Sequence, residues 1–181
     1  MKRMIILIFG CFLLNSCVVS TAGKIVKTTV KAGVGVVKGT VKGVSWAVSK
    51  ANGKIDEDRL DGNWKIVGVY SHSYDEIQNT ENPENLFSSQ CENGQEILSF
   101  KTKKSKLQQV HCSSDKESWK KYKFDFGKNP KTKEKENYLK MPNGDYISII
   151  NVSGNNLILE GNLMPAYAFK GAKVYLLEKT K

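Results

Sequence analysis

The sequence predicts a mainly β protein: a small antiparallel eight-stranded barrel, preceded by a targeting segment and an amphipathic helical tether. Three observations carry this. From Asn63 onward, apolar residues recur with period two, the signature of half-buried strands. These segments are short and separated by turn residues, among them the Asn-Gly of "PNGD" at 142–145, a strong hairpin signal. The first 50 residues are different in kind: a basic head, an apolar run, then Lys, Val and Gly without an acid.

The chain opens on Lys2 and Arg3, continues with an apolar run from Met4 to Leu14, and reaches "LLNSC" at 13–17. A basic head, an apolar core of about 7–15 residues and small residues at a cut site make a secretory signal. The core is shorter than the ~20 apolar residues of a bilayer span. Residues 1–16 are therefore read as a signal peptide, with an uncleaved anchor as the alternative. "LNSC" resembles the lipobox of bacterial lipoproteins, with Leu14, Asn15, Ser16 and Cys17 in the required order. The resemblance implies that Cys17 becomes the first mature residue and carries a diacylglyceryl group on its thiol and an acyl chain on its amine. Two or more chains hold a protein on a membrane stably, where one does so marginally. Val18 is not acidic, which in that family implies the outer membrane; the periplasmic face is the expected side.

Residues 17–59 form the tether. Val26, Val30, Val34, Val37, Val41, Val44 and Val48 recur at steps of three and four, and the lysines keep steps of their own. These spacings predict an amphipathic helix over about 22–50. It is not a membrane span, because Lys31, Lys38 and Lys42 interrupt it. Its glycines make it marginal alone in water. Val face down and Lys toward anionic headgroups, it would lie on the membrane beside the anchor. A disordered spacer is the alternative, and Gly35, Gly39 and Gly43 offer a self-association stripe.

The formal net charge is +10, but the six lysines of 17–50 and the basic head supply most of it. Residues 51–181 are near neutral, without the footprint of a nucleic-acid-binding domain. Cys11 leaves with the signal. Cys91 and Cys112 remain in an oxidising compartment, where such a pair forms a disulfide. Metal binding is the rival, kept open by His111 beside Cys112, but the spacing is not that of a zinc site, and neither metal nor cofactor is expected.

The body, 60–181, reads as eight strands at about 64–71, 95–101, 106–112, 119–127, 137–141, 145–152, 157–161 and 173–179, with a short helix or loop at 83–90. Strict alternation in "NWKIVGVYS" places Trp64, Ile66, Gly68 and Tyr70 on one face, and in "WKKYKFDFG" it places Tyr122, Phe124 and Phe126 together. An eight-stranded meander closes without exposed edges and holds one small ligand or is filled by side chains.

"LDGNWKIV" at 60–67 resembles the Gly-x-Trp opening of lipocalins and short bacterial lipocalin-like domains, and "NGDYISIINVSGNNLILEG" at 143–161 resembles their later hairpin. The resemblance implies a barrel with a ligand cavity. Lipocalins stack a late Arg on the opening Trp; here the only arginines are Arg3 and Arg59, and Lys179 stands in that region.

No nucleophile elbow, zinc-protease helix or phosphate loop is present, and His72 and His111 have no recognisable catalytic setting. The acidic "DEDRLD" at 56–61 reads as a solvated linker or a helix start. An enzyme is not expected. The first expectation is a lipid-anchored binding module, with Trp64, Tyr70, Phe100, Tyr122, Phe124 and Tyr146 as lining candidates or, alternatively, ordinary core. The second is an envelope protein-interaction module with a filled barrel. "CENGQEILSF" at 91–100 resembles the opening strand of membrane-bound lysozyme inhibitors. An apolar pocket of about 300 Å³ or more favours the first, a solid interior the second.

Overall fold

Alternating apolar residues with short turns give ten strands in one antiparallel sheet: β1 (Gly62–Tyr70), β2 (Ile97–Lys101), β3 (Lys106–His111), β4 (Asp115–Lys116), β5 (Lys120–Lys121), β6 (Lys123–Lys128), β7 (Lys135–Lys140), β8 (Tyr146–Val152), β9 (Asn156–Glu160) and β10 (Val174–Lys179). The computed structural model describes residues 50–87, 91, 94–164 and 171–180. Cys17, the signal peptide and all but the last residue of the expected helix at 22–50 lie outside them. All eight expected strands are found. The one expected at 119–127 is divided into β5 and β6 around Tyr122, and β4 is an addition.

The sheet order is β4-β3-β2-β1-β10-β9-β8-β7-β6, with β5 pairing β3. β1 is shared: Gly62–Lys65 face β2, and Trp64–Tyr70 face β10, so the first and last strands are neighbours. The short β5 lies against Lys106 and Leu107 of β3, while β6 runs along β7 from Lys123↔Lys140 to Lys128↔Lys135. Segment 120–128 thus hydrogen-bonds to both flanks of the meander. Tyr122 sits at the change of partner, its N–H donating to Ser105 O at 2.9 Å.

Both faces of the sheet carry apolar clusters. The larger contains Leu60, Trp64, Ile66, Val69, Leu98, Phe100, Leu107, Tyr122, Leu139, Ile147, Ile149, Leu157, Leu159 and Leu177, among others. The smaller contains Val67, Tyr70, Tyr74, Ile77, Ile150, Ile158, Val174 and Leu176. Two bulges distribute the residues between them. The β1–β10 register shifts between Ile66 and Gly68, and the β8–β9 register between Ile149 and Asn151. One extra residue reverses the parity of all that follow. Trp64 and Ile66 point to the larger cluster, and after the bulge it is Val69 that does so. Tyr70, expected beside Trp64, therefore packs on the other side.

A helix that the sequence reading did not include covers the smaller cluster. α1 (Tyr74–Asn79) is capped by Ser73, whose side chain accepts from Glu76 N–H while the Glu76 carboxylate accepts from Ser73 N–H. This capping box satisfies two otherwise orphaned donors. Tyr74 and Ile77, three apart, are its buried face. Residues 83–87 contain no helix.

The last residues of the segment expected to be the tether touch the sheet. Ala51 N–H donates to Ile150 O at 2.9 Å, and Ile55 N–H to Asn137 Oδ1 at 3.0 Å. Asn137 in turn donates to Gly53 O at 2.8 Å, and Ile55 joins the larger cluster. The acidic run opens a 3₁₀ helix, Glu57–Leu60, with Asp56 as its cap. Asp58 and Asp61 accept hydrogen bonds from Thr102 across the sheet. Among the described residues no helix is long and apolar enough to cross a membrane.

Candidate functional site

A pocket of about 470 Å³ opens where β5, the β7–β8 turn and residues 162–163 meet. Its floor is Leu98, Leu107, Met141, Ile147 and Leu163, all members of the larger cluster and none more than 8% exposed. The alternation of β2, β3 and β8 turns Leu98, Leu107 and Ile147 inward, while Met141 and Leu163 come from the adjoining turn and loop. The rim is polar: Gln109, Lys120, Lys121, Asn143, Asp145 and Asn162, with Trp119 and Pro142.

Local contacts hold the rim in shape. Trp119 lies under Lys101, whose Nζ is 4.3 Å from the ring centroid, a geometry in which the ring face attracts the cation. Lys120 Nζ is 2.7 Å from Glu117 Oε2. In the β7–β8 turn, Asn143 Nδ2 donates to Asp145 Oδ2 at 2.7 Å, and Asn143 Oδ1 accepts from Asp145 N–H at 3.1 Å. Gly144, at φ +87°, supplies the left-handed residue this turn requires. An apolar pit with a rim of two lysines suits a molecule with an apolar body and a polar or anionic end.

None of the six residues expected to line a ligand site borders this pocket. Trp64, Phe100 and Tyr122 are buried elsewhere in the larger cluster, and Phe124 packs against it. Phe100 and Tyr122 meet edge to face at 6.0 Å. Trp64 Nε1 donates to Leu60 O at 2.7 Å, and Lys179 Nζ lies 5.0 Å from the Trp64 ring centroid. Tyr70 is on the opposite face. Tyr146 is there too, edge-on to Tyr138 at 5.8 Å, beside a more open hollow of about 570 Å³ with Ser148, Glu160, Lys131 and Lys173. Tyr146 lines this hollow, while Trp64, Phe100 and Tyr122 are members of the core cluster. The pocket combines residues of β2, β3, β5 and β8 with residues of the turns at 141–145 and 162–163, and strand patterning does not show which strands and turns meet.

Two ionisable side chains are perturbed near these features. Burial raises the Glu160 carboxyl above the usual range, against the opposing hydrogen bond from Tyr74 N–H at 3.4 Å. Burial, and then the Glu57 carboxylate, push the Tyr122 phenol up. Tyr122 Oη and Glu57 Oε1 are close in this sense, but neither makes a hydrogen bond of good geometry.

The expected disulfide is present: Cys91 and Cys112 are bonded, with Cα atoms 5.2 Å apart, inside the usual range. No protein-family profile, no curated protein and no solved structure matches the chain.

Proposed function

We propose that this chain is a bacterial envelope lipoprotein, anchored through Cys17 at the periplasmic face of the outer membrane, whose lipocalin-like barrel binds a small apolar or amphipathic ligand. The observation that carries the ligand reading is the pocket of about 470 Å³ with its apolar floor and lysine-bearing rim. It exceeds the about 300 Å³ at which small-molecule sites begin, and sites of this kind favour the mouths of barrels. A filled barrel serving a protein partner, such as a lysozyme inhibitor, has no need of it.

The barrel reading is supported by the two seams of the sheet. β1 pairs with β10, and segment 120–128 pairs with β3 through β5 and with β7 through β6. A meander joined in this way surrounds its larger apolar cluster and leaves little edge. Lys179 over Trp64 matches the cation that lipocalins set on their opening Trp, without the planar stacking of a guanidinium. The anchor reading is supported by "LNSC" behind its signal and by the lysines of 17–50, which face anionic headgroups in the proposed arrangement.

Native mass spectrometry of the chain taken from its own envelope tests the proposal. The expected result is one discrete small molecule per chain in addition to the lipid anchor. A mass accounted for by the lipidated chain alone, or by a bound protein, would overturn the ligand reading.

A further inference from the structure

The disulfide is not isolated. Glu96, His111, Cys91 and Cys112 bring one donor atom each to within 4.8 Å of one another. His111 Nδ1 is paired with Glu96 Oε1, and Cys91 Sγ is 3.7 Å from that same oxygen. Glu96 is only 2% exposed, and its second oxygen, Oε2, is buried without a hydrogen-bond partner. A carboxylate buried against two sulfurs, with an acceptor oxygen to spare, is costly unless something cationic meets it.

The backbone holds these groups together independently of the sulfur–sulfur bond. Ile97 and Val110 are register partners in the β2–β3 ladder, so Glu96 and His111 sit just beyond its last pair. Ser113 N–H donates to Gln95 O at 2.9 Å, and Gln95 N–H donates to Ser113 Oγ at 2.9 Å. Gly94, at φ +117°, lets the approach be this close: a Cβ there would lie 2.4 Å from Cys112 O.

We infer that Cys91, Cys112, His111 and Glu96 form a latent zinc site, closed by the disulfide and opened by its two-electron reduction. A dithiol reductant breaks the sulfur–sulfur bond by thiolate attack and a second exchange; it leaves as a disulfide, having supplied both electrons. Two thiols result, and Zn²⁺ displaces their protons. Two thiolates, one imidazole and one carboxylate are a tetrahedral set of the right kind. Such a set places donors about 3.3–3.8 Å apart, given Zn–S of about 2.3 Å and Zn–N or Zn–O of about 2.0–2.2 Å. The present cluster needs its two sulfurs, and the paired His111 Nδ1 and Glu96 Oε1, to part, and its more distant donors to close. While the disulfide stands, the sulfurs are not thiolate ligands and the site is shut. The same four residues would then report the redox state of the compartment as zinc occupancy.

The test is zinc titration of the whole chain, oxidised and dithiol-reduced, against a chromogenic chelator after anaerobic removal of the reductant. The reduced protein is expected to take one Zn²⁺ per chain and the oxidised protein none. Cobalt in its place should give the near-ultraviolet thiolate absorption of a two-sulfur site. His111→Ala and Glu96→Gln should each weaken binding by about 10–100-fold or more, since even outer-shell partners of metal sites are worth that much. Zinc should also slow alkylation of Cys91 and Cys112 in the unaltered chain, a readout that does not depend on how the variants fold. Reduced protein that binds no zinc overturns the inference. So does zinc binding that both variants leave unchanged, which would show two thiols acting alone.

Discussion

Glu160 shows how a single residue's surroundings become a pH-dependent property. It lies half-buried on the face away from the pocket, and burial raises its pKa against the hydrogen bond from Tyr74 N–H. An acid with a raised folded-state pKa holds its proton in the native state at pH values where the unfolded chain has lost it. Stability therefore falls as pH rises from the ordinary Glu value through the folded one, then levels off with the full penalty in place. Glu160→Gln should raise the urea midpoint at pH 7, and the gain should vanish near pH 3.5, below the ordinary Glu range of about 4.3. Equal gains at both pH values would show that the carboxylate's charge is not the cause. At this scale the sequence was informative where chemistry is local. Cys91 and Cys112 pair as expected, and Lys179 sits over Trp64. It was misleading for Tyr70, because a bulge at Val67 leaves no mark that strict alternation can read.

At the scale of elements, strand positions were legible because short apolar runs are separated by turn residues and alternation is clean in 119–127, even though β8 carries a bulge and β9 and β10 are buried on consecutive residues. What was missed is α1. Its signal was in "SYDE", a Ser followed three residues later by Glu, which is the capping-box signature. Six residues are too few for helical periodicity to register, and an isolated helix of that length does not form in water. Tertiary burial of Tyr74 and Ile77 against Tyr70, Ile150 and Ile158 holds it in place. Ser73→Ala removes the cap and should cost about 0.5–2 kcal/mol of unfolding free energy. Measured by denaturant unfolding, the loss should coincide with faster amide exchange over 74–79; an unchanged midpoint would contradict the role given to the cap. The division of 119–127 into β5 and β6 was equally invisible. Alternation continues straight through Tyr122, while the hydrogen-bond partner changes from β3 to β7.

At the scale of the whole molecule, the proposal joins an address to an architecture. The basic excess lies in residues 1–50, and residues 51–181 are near neutral, so in the proposed arrangement attraction to an anionic membrane would fall on the part that carries the anchor. Cys17→Ser should leave unprocessed precursor and abolish palmitate labelling; labelling that persists would contradict the anchor. The pocket could not be read from the sequence, because its floor is drawn from three strands and two loop positions distant in the chain, and its rim from β3, β5 and turns. It exists only once the two seams bring β3, β5 and the β7–β8 turn to one end. The central claim is that this end holds a ligand, and calorimetry tests it most directly. A chain beginning at residue 17, made without residues 1–16 and bearing Cys17→Ser so that it is free of anchor lipid, is titrated with a single-chain anionic amphiphile such as laurate below its micelle threshold. The account predicts one saturable site per chain, lost in Leu163→Arg, which places a charge in the apolar floor while the circular dichroism of the sheet is retained. Heat that never saturates, or identical binding by both chains, would contradict it.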